Sequence, residues 1–464
     1  MAFSSGLILP DADVPKQYTF AKDIFVGSGD YTIAEVYTGQ ETREGHLMKN
    51  SLSAVYAVLF TLLALPLTAA SIPTAKPEDV GLSSERLQRV HQMIQRHIDA
   101  GDISGAVTLV ARKGRVAHLE AHGLMDIESK TPMAKDAMFR IASMSKVVTG
   151  TAIMMLVEEG KIRLTDPVSK FIPEFRGQKV AVTLPTGRGA TPAGAAAAPQ
   201  FYTVPAEREI TIRDLLTHVS GLGSGTLSNS DLARVARRDN ENLAAYIPRL
   251  GTTALEFQPG SRWAYSPGAG FETLGRIVEI ASGQSFDQFL RQRIFDPLGM
   301  KDIFFYLDAA HQPRQVTLYQ RSASGLQKQA TNPGSQVYFS GAGGLLSTAE
   351  DYLPLGQMLV NGGQLNGKRL LGPRTVDMMS SVHVPDTLPG RQRGEGFGLS
   401  VRVISDHVAR ASAVSTGSYG WDGAFGTHLW IDPKEQIVGI LMIQTANQEV
   451  GRDFEQAVMQ AVIE

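Results

Sequence analysis

Ser143-Met144-Ser145-Lys146 is the one Ser-x-x-Lys in this 464-residue chain. Three residues of spacing put a hydroxyl and an amine on one face of a helix. The stretch that follows, Val147 to Glu159, has helical spacing with an apolar stripe through Ile153, Met154 and Leu156. Ser143 then stands at a helix N-terminus, where backbone N–H groups are free and a partial positive charge gathers. That setting favours an alkoxide-like serine and, later, an oxyanion. A nucleophilic serine also needs a base. No Gly-x-Ser-x-Gly occurs, so the nucleophile elbow of α/β-hydrolases is absent. No histidine pairs with Ser143 by pattern. A lysine desolvated in a cleft can lose its proton, or can lower the pKa of a neighbouring phenol. Tyr265, just after the turn Pro259-Gly260, is the phenol on offer.

These residues must be held by elements the chain supplies in order. Pro73 to Pro77 reads as a linker. Ser83 or Ser84 caps a helix with Leu87, Val90, Ile94 and Ile98 on one face, ended by Gly101. Ala106–Ala111 and Val116–Glu120 read as a β-hairpin. The hairpin carries His118-Leu119-Glu120-Ala121-His122. On a helix the two imidazoles could share a zinc, but in a strand that spacing puts them roughly 13 Å apart, so no metal is expected there. Ile210–Leu216 is a short helix, and His218 at its end reads as structural. Asp231–Leu250, Gly270–Ser282 and Phe286–Ile294 are further helices. Residues 182–205 interrupt this region, with a Gly-, Ala- and Pro-rich stretch that reads as a flexible insertion. Ser340 to Leu346 is a glycine-rich turn. Ser347-Thr348-Ala349-Glu350 has the pattern of a capping box. Gly398–Val403, Gly426–Ile431 and Ile437–Ile443 read as strands, and Phe454–Ile463 as a closing helix.

Strands early and late with helices between predict an α+β fold. Its antiparallel sheet is built from both chain ends, with the first and last helices on one face. The expected boundaries are 78–141 and 335–464 for the α/β domain and 142–334 for a helical domain. The cleft between them is the expected site.

Composition narrows the function. Hydrophobic residues make 43% and charged residues 19% of the chain, as in a soluble globular protein. A net charge of -2 gives no case for nucleic acid. The absence of cysteine excludes disulfides, thiolate metal sites and a cysteine nucleophile. From Met48 the chain runs Met48-Lys49-Asn50, then apolar from Leu52 to Leu67, then Thr68-Ala69-Ala70-Ser71. A basic start, a short apolar core and small residues describe a secretory signal peptide over residues 48–70. The run is short for a membrane span and is broken by Pro66, so no stable span is expected in the mature protein. Met48 is then the expected natural start, residues 1–47 an extra leader, and the destination periplasmic or secreted. Without processing, the protein would stay cytoplasmic.

Ser143-Met144-Ser145-Lys146, Tyr265-Ser266-Pro267 and Trp421-Asp422-Gly423, in that order, resemble the three motifs of the serine β-lactamase and penicillin-binding-protein superfamily. Class C β-lactamases and family VIII carboxylesterases are the nearest in look. Leu215 to Leu222, Pro297-Leu298-Gly299-Met300 and Ser340 to Leu345 match as well, and the similarity covers about residues 78–463. The resemblance implies a β-lactamase/transpeptidase-like fold and an acyl-enzyme on Ser143. Lys146 would be the electrostatic partner and Tyr265 the general base. The backbone N–H groups of Ser143 and Ala424 would form the oxyanion hole. Trp421, Asp422, Gly423 and Pro267 would line the substrate site. It implies neither metal nor cofactor.

Two departures bear on substrate. The second motif of lactamases and D,D-peptidases usually ends in Asn, whose amide binds the substrate, and here Pro267 stands there. The third usually begins with a cation, and here Trp421 does, as in family VIII esterases. Asp422 would repel a substrate carboxylate if it faced the cleft. Both changes weaken recognition of β-lactams and of peptide C-termini and are compatible with a neutral ester. The expected function is therefore a short-chain carboxylesterase. A β-lactamase, a D,D-peptidase and an acyltransferase use the same nucleophile and stand as alternatives. A catalytically silent binding protein has no need of all three polar residues.

Overall fold

A computed structural model describes residues 72–184, 200–331 and 336–464. The leader 1–47, the signal-like segment 48–70 and the centre of the expected insertion, 185–199, lie outside the described residues. The insertion's flanks do not: Lys179–Thr183 and Phe201–Pro205 pair as an antiparallel ladder.

The first helix, α1 (Ser84–Asp99), is capped by Ser83, whose hydroxyl accepts from the Arg86 N–H. It is followed by β1 (Gly105–Arg112), β2 (Arg115–Asp126) and the short β3 (Thr131–Pro132). Late in the chain come β4 (Glu395–Phe397), β5 (Arg402–Ile404), β6 (Tyr419–Asp422), β7 (His428–Asp432) and β8 (Ile437–Met442). All eight form one antiparallel sheet in the order β4-β5-β6-β7-β8-β1-β2-β3. The two chain ends therefore meet at the β8–β1 ladder, as the sequence pattern predicts.

β1 is buried along its whole length, because both faces of the sheet are covered. Ala106 and Val110 face a cluster made by α1 and the closing helix (Gln448–Met459), with Leu87, Val90, Ile94, Phe454 and Val458. Val107, Leu109 and Ala111 face the other way, into the main core. This two-residue alternation is the strand period at work. Each fully buried apolar side chain here contributes about 1.5–3 kcal/mol.

Several expectations need correction. Pro73–Ala75 is no free linker, since it hydrogen-bonds to Val116 of β2. Gly398–Val403 is not one strand: residues 398–401, with Ser400 at a φ of +69°, are the turn between β4 and β5, and only Arg402 and Val403 belong to a strand. The helix expected over Asp231–Leu250 breaks, and Asn242 starts a new one at Leu243 by accepting from the Ala245 N–H. The cap before the helix Ala349–Val360 is Thr348, accepting from Asp351 N–H, one residue later than the expected box. The closing helix starts at Gln448, because Asn447 caps it.

The histidines of β2 also differ from expectation. His118, Glu120 and His122 share one sheet face, and Glu120 pairs with Thr108 of β1. Both imidazoles lean inward over Thr108: His118 Nε2 lies 2.8 Å and His122 Nε2 3.0 Å from its Oγ1. Backbone spacing alone overstates how far apart such long side chains must be. Burial pushes both down to about 4, so both are neutral at pH 7.

Among the described residues no helix is long and apolar enough to cross a membrane.

Candidate active site

The helix after Ser143, α2 (Ser145–Glu158), is not amphipathic. Every residue from Ser145 to Leu156 is buried. It is a central rod packed on all sides, which explains why its apolar residues have no preferred face. Its entry is fixed tightly. Ile141 N–H donates to Leu345 O at 3.1 Å, and Leu345 N–H donates to Ser145 Oγ at 3.2 Å. Ala142 adopts a left-handed φ of +45°, a strained geometry for alanine. Residues Ala142–Met144 form a 3₁₀ turn that leads into α2. The glycine-rich turn buttresses the helix: Thr149 Oγ1 donates to Gly341 O at 2.7 Å.

This places Lys146 one turn beyond Ser143 and wholly buried. Its Nζ donates to Pro267 O at 2.8 Å, to Ala342 O at 2.7 Å and to Ser143 Oγ at 3.2 Å. Burial pushes its pKa down to about 7, against the opposing pull of Glu272. Glu272 lies on the helix Ala269–Ser282 and accepts from Ser340 Oγ at 3.2 Å. A neutral amine keeps two N–H donors for the two carbonyls and turns its lone pair to Ser143. Pro267, expected to line the substrate site, gives its backbone carbonyl to Lys146.

Tyr265 completes the set, with its hydroxyl donating to Ser143 Oγ at 2.6 Å. It sits in irregular chain held at several points. Gly260, at a φ of +86°, makes the preceding turn. Trp263 N–H donates to Pro389 O and Ala264 N–H to His218 O. Ser266 N–H donates to His218 Nδ1 at 3.2 Å. His218 is buried among Trp263, Tyr265, Phe271, Phe397 and Trp421. Burial, then Lys146 and Arg391, drive its pKa well down. It is a neutral support for the Tyr265 turn. Burial pushes the Tyr265 phenol up, and the Ser143 hydrogen bond only partly offsets this. At neutral pH the phenol therefore keeps its proton, while Lys146 is the group near its midpoint.

The third motif edges the same cleft on β6. Gly423 is required by close approach, since a Cβ there would lie 2.0 Å from Thr427 Oγ1 and 2.5 Å from Ile141 O. Thr427 Oγ1 donates to Ile141 O at 3.1 Å, tying this turn to the residues just before Ser143. The next residue, Ala424, is exposed, and its backbone N–H has no acceptor among the described residues. The Trp421 ring lies 5.5 Å from that of Tyr265. Ser143, Tyr265, Trp421, Asp422, Gly423 and Ala424 all line one cleft of about 370 Å³.

Asp422 does not present a free charge to that cleft. Its carboxylate meets Arg402 Nη1 at 2.9 Å and His428 Nδ1 at 2.5 Å, with Glu455 3.2 Å from His428 Nε2. Burial works against the Asp422 charge, but Arg402 and His428 outweigh it and hold its pKa well below the carboxylate range. Burial likewise opposes a charged His428, yet Asp422 and Glu455 carry it up to about 9. Beside this group Arg410 is paired with Glu395. Arg391 packs 4.4 Å from the Trp263 ring centroid, with Glu395 at 3.6 Å. The cleft thus has cations that the motifs do not announce. They come from scattered positions between 391 and 452, and no local spacing in the sequence marks them.

A family model described as beta-lactamase matches residues 90–462. An uncharacterized protein of Mycobacterium tuberculosis is 34% identical over 367 residues, covering 76% of this chain and 88% of that protein. Esterase EstB of Burkholderia gladioli is 29% identical, covering 85% of this chain and 99% of its own length. The solved structure of EstCE1, a hydrolase with promiscuous acyltransferase activity, is 26% identical with a TM-score of 0.67. It covers 81% of this chain and 99% of that one. A match of this extent, with the motif residues assembled around one serine, establishes kinship: the chain belongs to the beta-lactamase family, as a serine hydrolase of that fold.

Proposed function

We propose that this protein cleaves short-chain carboxylic esters through an acyl-enzyme on Ser143. The observation that carries this reading is the serine hydroxyl held between the Tyr265 phenol and a buried lysine whose pKa is near 7. Ser143 Oγ attacks the ester carbonyl, and its proton passes to neutral Lys146. The N–H groups of Ser143 and Ala424 receive the oxyanion. As the intermediate collapses, Tyr265 gives its proton to the departing alkoxide and is resupplied from the Lys146 ammonium. Water then attacks the acyl-enzyme, losing its proton to the same pair, which returns it to Ser143 Oγ as the bond to the acyl carbon breaks and the acid leaves.

The substrate class follows from what surrounds the serine. The cleft volume is at the small end for ligand sites. Trp421 and Trp263 offer apolar walls. Arg402 and Arg410 are already paired with carboxylates, and Arg391 donates to the Glu395 and Gly396 carbonyls. A substrate carboxylate would gain little from these three, and Arg452, which also lines the cleft, is exposed to solvent, where an ion pair contributes at most about 1 kcal/mol. Lacking one charge-assisted hydrogen bond costs about 1.5–3 kcal/mol, roughly ten- to a hundredfold in rate. The names of EstB and EstCE1 support ester chemistry, and the promiscuous acyltransferase activity of EstCE1 favours acyl transfer as a second reading. Measuring kcat/KM for nitrophenyl butyrate and for nitrocefin, with and without an added alcohol, tests this. We expect the ester to be preferred about ten- to a hundredfold. A preference for nitrocefin would refute the assignment, and partition of the acyl group mainly to the alcohol would favour the transferase.

The segment 48–70 supports export, with Met48 as the start. Expression from Met48 followed by N-terminal sequencing of the exported protein should find residues 48–70 removed. A mature chain still containing Leu59 would rule this out.

A further inference from the structure

We propose that His91, Glu120 and His122 form a binding site for a zinc-like divalent metal ion, which ties α1 to β2. None of the three lines the cleft around Ser143, and no step of ester cleavage uses them.

The geometry is close to a ligand set. His91 projects from α1 over the sheet, and its Nδ1 lies 2.7 Å from Glu120 Oε1. His122 Nε2 lies 3.9 Å from Glu120 Oε2. One ligand atom from each residue falls within 4.8 Å of the others. Tetrahedral zinc, with bonds of about 2.0–2.1 Å, needs its ligand atoms about 3.3 Å apart. The remaining adjustment falls on His91 and Glu120, whose side chains are 45% and 37% exposed and can move. His122 is the fixed member, with its side chain almost fully buried.

The donor chemistry selects the ion. Two imidazoles and one carboxylate suit zinc, and also nickel or copper, whereas calcium and magnesium want oxygen ligands. His118 stands beside the set and shares Thr108 Oγ1 with His122. A hydroxyl has one proton, so Thr108 can donate to only one of these imidazoles while accepting from the other. The Thr108 contact falls on the His122 nitrogen that faces Glu120, so a bound ion would take that lone pair and leave Thr108 to His118 alone. His122 is nonetheless unsatisfied, since its buried Nδ1 has no partner. A plain ion pair between His91 and Glu120 explains two of the three residues. It leaves the buried His122 beside them unexplained.

The test uses the full chain, untagged and dialysed against chelator. Zinc chloride is titrated in by calorimetry, and thermal unfolding is followed with and without zinc. We expect one site of micromolar affinity or tighter, and a melting temperature raised by a few degrees because only the folded chain binds. Magnesium and calcium should give neither effect. His91→Ala and Glu120→Gln are partly exposed changes that leave the core intact. Each should weaken zinc binding at least tenfold and abolish the thermal shift. If the double variant His91→Ala/Glu120→Gln binds zinc as the parent does, or the parent shows no stoichiometric site, the proposal is overturned.

Discussion

Ser143→Ala should remove turnover and covalent labelling by a fluorophosphonate probe, with kcat for nitrophenyl butyrate falling by at least about four orders of magnitude. Nothing near the cleft can replace the lost oxygen as nucleophile. The Tyr265 phenol keeps its proton, and His218 is neutral, enclosed by aromatic rings and engaged by the Ser266 N–H. Residual rate would come only from binding and the oxyanion donors. The fold should survive. Lys146 keeps its two carbonyl acceptors, and Ser143 itself is only partly buried. The variant loses one hydrogen bond to the phenol, worth about 1 kcal/mol. The strained φ of Ala142 just before it remains in place. Melting within a few degrees of the parent, together with absent labelling, is the expected pair of results. Labelling that persists in a folded variant would place the nucleophile elsewhere.

The same residues show what a sequence can and cannot disclose. Ser143 and Lys146 are legible because one helical turn joins them, and local spacing is a property of the chain itself. Tyr265 is legible only as a phenol after a forced turn. Its distance to Ser143 depends on His218, Pro389 and the glycine-rich turn, which no pattern links. The sheet is legible because strands at the two ends alternate in the strand period and meet at the β8–β1 ladder. The burial of α2 on all sides is not, since periodicity vanishes when every face is covered. Asp422 shows the larger gap. Its neighbours in sequence suggest a lone anion facing substrate, yet Arg402 and His428 neutralise it from two other strands, and Glu455 of the closing helix shares both cations. Charge pairing across a sheet leaves no trace in spacing. The histidines of β2 are the converse case. A correct backbone spacing led to a wrong separation of the rings because side-chain reach was left out.

Lys146 should govern the pH dependence of the reaction, and Tyr265 its rate. Lys146 has its pKa pushed down to about 7 by burial. Its neutral form is the one able to accept the serine proton, so kcat/KM should rise with pH through about 7 and level off above it. Lys146→Met preserves the apolar stem and removes the amine. It should lower kcat by two to four orders of magnitude, the usual worth of a general base, and remove the limb near 7. Tyr265→Phe deletes the hydroxyl that donates to Ser143 Oγ at 2.6 Å. It should cost a similar factor yet keep that limb, because the lysine remains. The double variant should be little worse than either single one, since the two groups pass one proton between them. Glu272 offers a check on the sign. Its charge favours the Lys146 ammonium and so raises the lysine pKa. Glu272→Gln should therefore move the limb to lower pH, leaving more neutral amine at pH 6. A limb near 7 that persists in Lys146→Met would assign the titration to another group. Tyr265→Phe with less than a tenfold loss would leave the lysine as the sole proton carrier.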